Sequence, residues 1–253
     1  PGPGGTLTSF ANGMSALTDS LAEQLGPRIH TSTAIKDINR SGNRYQLQLD
    51  NDDVEESDVL ILAAPAHAQA QMLKSMDPAL SGLLAEIFYP ALSVCCFGYR
   101  KKQVGQVLDG FGFLIPSKEQ RAILGTIIDS NVFPGRAPEG SVLLRSMVGG
   151  ARTPELALLP DEQLIDRVRS DLQDILGLRA EPDFIRIFRW KRAIPQYLVG
   201  HAARLEAIDE KMQRHPGLVL TGNAFKGVSL NDCVVNAWKT AQKLLPHPGE
   251  VTS

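Results

Sequence analysis

The sequence has 253 residues, 43% of them hydrophobic and 21% charged, with a formal charge of −2. That length supplies one large domain or two modest ones with ample core, and the near-neutral balance gives no electrostatic case for nucleic acid or an anionic membrane surface. The three cysteines, two of them adjacent at Cys95-Cys96, make no disulfide framework. Neighbours on a strand point to opposite faces, so this pair is not expected to bridge, and a reducing cytoplasm fits best.

The chain opens on PGPGGTLTSF with neither an initiator Met nor a charged-then-apolar leader. It reads as a linker, or as a longer protein joined midway. Met14, Leu17, Leu21 and Leu25 then recur at helical spacing, closed by Gly26-Pro27. Ile29–Thr31, Ala34–Asn39 and Tyr45–Leu49 read as short extended segments. The last two alternate apolar and polar residues across Ser41-Gly42-Asn43, which predicts a hairpin with Tyr45, Leu47 and Leu49 inward. Asp58–Ala64 is apolar throughout and bounded by Pro65, the pattern of a parallel strand buried on both faces. A helix is expected from Pro65 through Leu73, and another near Leu80–Ile87.

The middle of the chain is strand-rich, with segments at Leu92–Tyr99, Gly112–Ile115, Ala122–Asp129 and Ser141–Val148 separated by glycines and by the loop 133–138. A long helix fits Asp161–Leu176, with Pro160 just inside its start and Gly177 past its end. Phe184–Trp190 reads as a strand and Ala202–Arg214 as a helix. Leu218–Leu220 is a short buried strand, interrupted by Gly222 and Gly227. A final helix carries Val234, Ala237, Trp238, Ala241, Leu244 and Leu245 on one face, with Asn231 as N-cap and Asp232 favoured by the helix dipole. A helix start of this kind presents unpaired N–H groups that suit an anion or a polarised carbonyl, and it also occurs in any ordinary α/β connection. The layout is parallel-type α/β at both ends and mainly antiparallel β between them.

Several segments, taken together, resemble the FAD-dependent protoporphyrinogen oxidases of heme synthesis, within the amine-oxidase-like flavoproteins. They are Leu220–Val234 (LTGNAFKGVSLNDCV), Phe188–His201 (FRWKRAIPQYLVGH), Phe111–Gln120 (FGFLIPSKEQ), Thr126–Pro138 and Phe10–Leu25. The fold class that this resemblance implies is α/β plus α+β. It is the C-terminal part of an FAD/NAD(P)-binding (Rossmann-like) domain with an inserted, mainly antiparallel β substrate domain. The expected boundaries are 1–77 and 215–253 for the FAD-binding segments and 78–214 for the substrate domain.

The resemblance also implies the chemistry. FAD is the cofactor, a porphyrinogen (protoporphyrinogen IX or coproporphyrinogen III) the substrate and oxygen the acceptor. Gly222 and Asn223, with backbone N–H groups near Val228, Ser229 and Leu230, would lie at the flavin ring, where negative charge develops over N1 and the C2 carbonyl on reduction. Ile35 corresponds to the position whose backbone meets adenine, and Trp190 to an aromatic near the flavin. Leu114 and Phe133 correspond to apolar residues that sandwich the tetrapyrrole. Core packing is the competing account of Trp190, Leu114 and Phe133.

No catalytic side chain is implied, because the cofactor performs the redox step. His30, His67, His201, His215 and His247 show no metal-type spacing. The G-x-G-x-x-G turn that binds the dinucleotide pyrophosphate is missing, so the chain resembles the C-terminal half of such enzymes. Peripheral membrane association and a homodimer stay open. Two alternatives remain: another amine-oxidase-like flavoenzyme, such as a carotenoid desaturase or an amine oxidase, and a fragment that binds no cofactor.

Overall fold

The computed structural model describes residues 7–104 and 108–245. The PGPGG opening lies outside them. The chain forms two compact units, one from Pro1–His30 and Pro90–Ala193, the other from Thr31–Tyr89 and Ile194–Ser253. In chain order the elements are α1 (Ser15–Leu25), β1 (Ile35–Ser41), β2 (Arg44–Leu49), β3 (Val54–Ser57), β4 (Leu60–Leu62), α2 (Ala66–Met72) and α3 (Pro78–Ala85). Then come β5 (Leu92–Arg100), α4 (Lys101–Val104), β6 (Gly112–Leu114), β7 (Ile123–Ile128), α5 (Asp129–Val132) and β8 (Ser141–Gly149). The last are α6 (Asp161–Leu176), β9 (Phe184–Trp190), α7 (His201–Met212), β10 (Leu218–Leu220) and α8 (Leu230–Leu244).

The unit of 31–89 and 194–253 holds two small sheets. Strands β1, β2 and β3 form an antiparallel meander, and the expected hairpin places Tyr45, Leu47 and Leu49 inward. Tyr45 is fully buried and its hydroxyl donates to the Pro216 carbonyl at 2.8 Å. Strands β4 and β10 pair in parallel, Leu60 with Leu218 and Leu62 with Leu220. The parallel pairing matches the apolar pattern, but burial on both faces does not: Ile61 is 47% exposed. With two strands in this sheet among the described residues, only one face is covered. The turn that feeds β10 demands a glycine, because Gly217 has φ +87° and a Cβ there would meet the Asp58 carbonyl at 2.4 Å.

Residues 31–89 and 194–253 share a core of Ile38, Leu62, Leu73, Leu80, Leu84, Ile208 and Leu218. This explains why the units part at 30, 89 and 193 rather than at 77 and 214. Leu80 and Leu84 of α3, and Ile208 of α7, have their apolar partners on β4, α2 and β10, so both helices fold with the parallel strands.

The other unit is a five-stranded antiparallel sheet in the order β6-β7-β8-β5-β9. One face packs Cys95, Phe97, Tyr99, Leu144 and Val148 against Leu164, Val168 and Leu172 of α6. Helix α6 spans the predicted residues, its C-terminus closed by Gly177 in the left-handed conformation. Pro160 is its N-cap, just outside the helix instead of inside. The Asp171 carboxylate pins α6 to the sheet, accepting from the N–H groups of Ala122 at 2.8 Å and Ile123 at 3.1 Å.

Three local expectations fail. Residues 29–31 form no strand, whereas β3, which the sequence pattern did not reveal, pairs with β2. In α1 the stripe of Met14, Leu21 and Leu25 is about half exposed, and no residue of that helix is buried. Helix α8 likewise forms at the expected place with its apolar stripe uncovered, Trp238 being 65% exposed.

Asp77 joins two elements of the first-described unit. Its carboxylate caps α3, accepting from the Leu80 N–H at 2.9 Å, and meets His215 Nε2 at 2.9 Å. Burial works to raise its pKa, but the bonds from His215 and from backbone N–H groups outweigh burial and hold it below the ordinary value. A carboxyl depressed in the folded state stabilises above its unfolded pKa of about 3.9, and that contribution is lost as pH falls through the folded value. Asp77→Ala is expected to lower stability at neutral pH by about 1–2 kcal/mol. The difference from the unsubstituted protein should shrink in acid. Urea denaturation across pH checks this, and equal stability at pH 7 would refute it.

Candidate functional site

The loop between β10 and α8 is held from three sides. Gln69 of α2, fully buried, donates from Nε2 to the carbonyls of Leu62 (3.2 Å), Ala64 (2.6 Å) and Thr221 (3.0 Å), so one side chain ties together the C-terminal ends of both parallel strands. The Tyr197 hydroxyl donates to the Asn223 carbonyl at 2.6 Å, and Asn236 Nδ2 donates to the Lys226 carbonyl. The His201 ring stacks on Tyr197 with centroids 4.2 Å apart. Burial, then the neighbouring Arg204 charge, holds the His201 imidazole below its ordinary pKa, so it stays neutral near pH 7.

Two glycines in this loop adopt positive φ, Gly222 at +124° and Gly227 at +76°. At Gly227 a Cβ would come within 2.4 Å of Asp232 Cβ and Cγ. That closeness seats the cap of α8. The N-cap is Ser229, not Asn231: Ser229 Oγ accepts from the Asp232 N–H at 3.1 Å, and Asp232 Oδ2 accepts from the Ser229 N–H at 3.2 Å. The reciprocal box wins because Ser and Asp three apart satisfy two donors, where Asn231 could satisfy one. The box also engages the Ser229 N–H that the sequence assigned to the flavin. The N–H groups of Val228, Leu230 and Asn231 have no acceptor among the described residues. Among the expected positions, Gly222, Asn223, Val228, Ser229 and Leu230 thus share one loop. Ile35 sits apart in the same unit, on β1 opposite Leu49.

The remaining expected positions lie in the other unit. Leu114 of β6 is 81% exposed, and Trp190 of β9 is 48% exposed and stacked on Phe188 at 6.1 Å. The register places Leu114, Gly125, Met147, Val94 and Phe188 side by side across all five strands, on the face opposite α6. Phe133 follows α5, half-buried, with the Arg136 guanidinium 5.7 Å from its ring. That contact gives Phe133 a structural partner.

The next row along the strands was not anticipated. It runs Gly112, Ile127, Arg145, Cys96, Arg186. Arg145 Nη2 donates to Asp129 at 2.8 Å, and the Arg186 guanidinium lies 5.2 Å from the Phe188 ring. Burial raises the Cys96 thiol above its ordinary pKa, with Asp129 adding to the rise and Arg145 and Arg186 opposing it. Alternation along each strand separates the two faces, but only the cross-strand register brings these charges together. Among the described residues, no group of His, Cys, Asp and Glu converges to hold a metal ion, and no helix is long and apolar enough to cross a membrane.

The chain is 31% identical over 232 residues to the coproporphyrinogen III oxidase of Bacillus subtilis, a match that covers 91% of this chain and 49% of that protein. Protoporphyrinogen oxidase 2, chloroplastic/mitochondrial, of Arabidopsis thaliana is 32% identical over 254 residues, covering 94% and 50%. A crystal structure from Exiguobacterium sp. 255-15, of a protein assigned as a protoporphyrinogen oxidase, superposes with a TM-score of 0.84 at 28% identity, covering 95% of this chain and 52% of that one. The chain therefore spans about half the length of the curated relatives it matches. The family model described as flavin containing amine oxidoreductase matches residues 2–245. The chain belongs to the flavin-containing amine oxidoreductase family.

Proposed function

We propose that this chain serves an FAD-dependent oxidase that converts a porphyrinogen to the porphyrin with oxygen as electron acceptor. The observation that carries the reading is the sheet face of Leu114, Met147, Val94 and Phe188. It offers a broad apolar platform for a tetrapyrrole macrocycle beside a row of guanidinium groups. The names and extent of the relatives support it. Three free cysteines fit a reducing cytoplasm.

In this reading the unit of 31–89 and 194–253 holds the flavin and the other holds the substrate. Bound FAD would supply the two-electron acceptor that takes hydride from the macrocycle and passes electrons to oxygen. The residues present fit that group. The unpartnered N–H groups of Val228, Leu230 and Asn231 stand ready for an electron-rich edge, with the positive end of α8 behind them. Gly222 keeps side chain away from the strand end, and Tyr197 and Gln69 hold the loop so that these donors need not reorganise. Ile35 would meet adenine through its backbone. Leu114 and Trp190 contribute apolar contact to the substrate face, and Phe133 packs at its margin.

The decisive experiment uses the full-length protein. It should purify with flavin absorbance and convert added protoporphyrinogen or coproporphyrinogen to a fluorescent porphyrin while consuming oxygen. A flavin-loaded protein inert toward both would overturn the substrate reading. A protein that neither carries nor takes up FAD would overturn the cofactor reading.

Gly227→Ala is expected to displace Asp232 and open the capping box, which weakens the α8 cap by roughly 1 kcal/mol or more. Flavin release on dilution, followed by recovery of free-flavin fluorescence, should then be faster than in the unsubstituted protein. Ser229→Ala should act in the same direction with a smaller effect, because it leaves Gly227 in place.

A further inference from the structure

We infer that Arg186, with Arg145 as a tethered counterpart, receives carboxylate groups of an anionic tetrapyrrole laid on the open face of the five-stranded sheet. The inference rests on the porphyrinogen reading above. Both arginines pair with Cys96, Arg186 from β9 and Arg145 from β8, so they flank β5 in one row. Two interstrand spacings separate their backbones by about 10 Å, and four make the platform about 19 Å wide.

The rows on either side are apolar. One is Leu143, Gly98 and Phe184; the other is Met147, Val94 and Phe188. A Cβ on Gly98 would lie 3.0 Å from Phe184 Cβ, so the glycine leaves room for that ring against the sheet. An uncharged apolar ligand on this face would desolvate two guanidinium groups without compensation. A polyanion without rings would leave the apolar rows wet. A tetrapyrrole macrocycle bearing carboxylates satisfies both.

The neighbouring arginines show how different Arg186 is. Arg189, on the opposite face of the same strand, donates to the carbonyls of Ala157 and Leu159 and to Asp161. Arg100 pairs with Asp183, and Arg169 with Glu181. Arg145 is oriented by Asp129, which accepts from one of its five donors. Arg186 makes no ion pair or hydrogen bond among the described residues; its contact is the Phe188 ring at 5.2 Å. A guanidinium held against an aromatic face, with its N–H fork unused, is built to take a carboxylate bidentately.

The test titrates a dicarboxylate porphyrin and its dimethyl ester into the full-length, FAD-loaded protein, followed by fluorescence. Arg186→Gln should weaken binding of the carboxylate form about 10- to 100-fold and leave that of the ester unchanged. Arg186→Lys should recover part of the loss. In turnover, R186Q should raise KM for the porphyrinogen while kcat holds. The side chain is exposed, so the melting temperature should not move. Unchanged affinity of R186Q for the carboxylate porphyrin, or an equal loss for the ester, overturns the inference and leaves the porphyrinogen reading standing. An unsubstituted protein that binds neither porphyrin overturns that reading, and this inference with it.

Discussion

Three carbonyl oxygens at the ends of two parallel strands converge on one buried amide. Gln69 Nε2 carries two hydrogens and serves the Leu62, Ala64 and Thr221 carbonyls, so one hydrogen is shared. Strand ends normally leave such groups to water. Here the amide satisfies them internally, and the chain can leave β10 in a fixed direction toward α8. The whole candidate flavin loop depends on that direction. Tyr197, the Ser229–Asp232 box and Asn236 then fix successive points along it. The N–H groups of Val228, Leu230 and Asn231 have no acceptor among the described residues, because the first turn of a helix has no carbonyl one turn back to receive them.

The five-stranded sheet follows a different rule. Its two faces are separated by the period of the strand, one closed by α6 and the other left with apolar residues exposed among arginines. On the closed face buried hydroxyls pair to hold elements together, as in the Thr126–Ser146 hydroxyl pair at 2.8 Å and the Ser93 bond to the Ala157 carbonyl. On the open face Arg186 has no such partner among the described residues.

In the proposed reading, recognition would fall to backbone at one site and to side chains at the other. A cofactor of fixed shape can be held by N–H groups whose positions the fold sets. A substrate whose variants differ in carboxylate number is read more readily by charged side chains on a broad surface. The relatives include both protoporphyrinogen and coproporphyrinogen oxidases, which is where a row of arginines would make a difference.

Much of the fold was legible in the sequence. Helix α6 and the 35–49 hairpin follow from apolar periods of 3.6 and 2, strands β5, β8 and β9 from short strand-type segments between breakers, and the parallel character of β4 from an unbroken apolar run, all local properties of the chain. The glycines at 222 and 227 were legible too, since positive φ leaves few other choices. The tertiary structure decided the rest. It chose Ser229 over Asn231 as the cap, because the reciprocal bond with Asp232 needs the Gly227 turn beneath it. It assigned α3 and α7 to the parallel-strand unit, because their apolar faces match Leu62 and Leu218 in space and not in sequence. It also set Arg145 beside Cys96 and Arg186, residues drawn from three strands, through a register that no single strand encodes. Periodicity tells which way a side chain points, whereas its neighbours are decided by hydrogen bonds between strands distant in the chain.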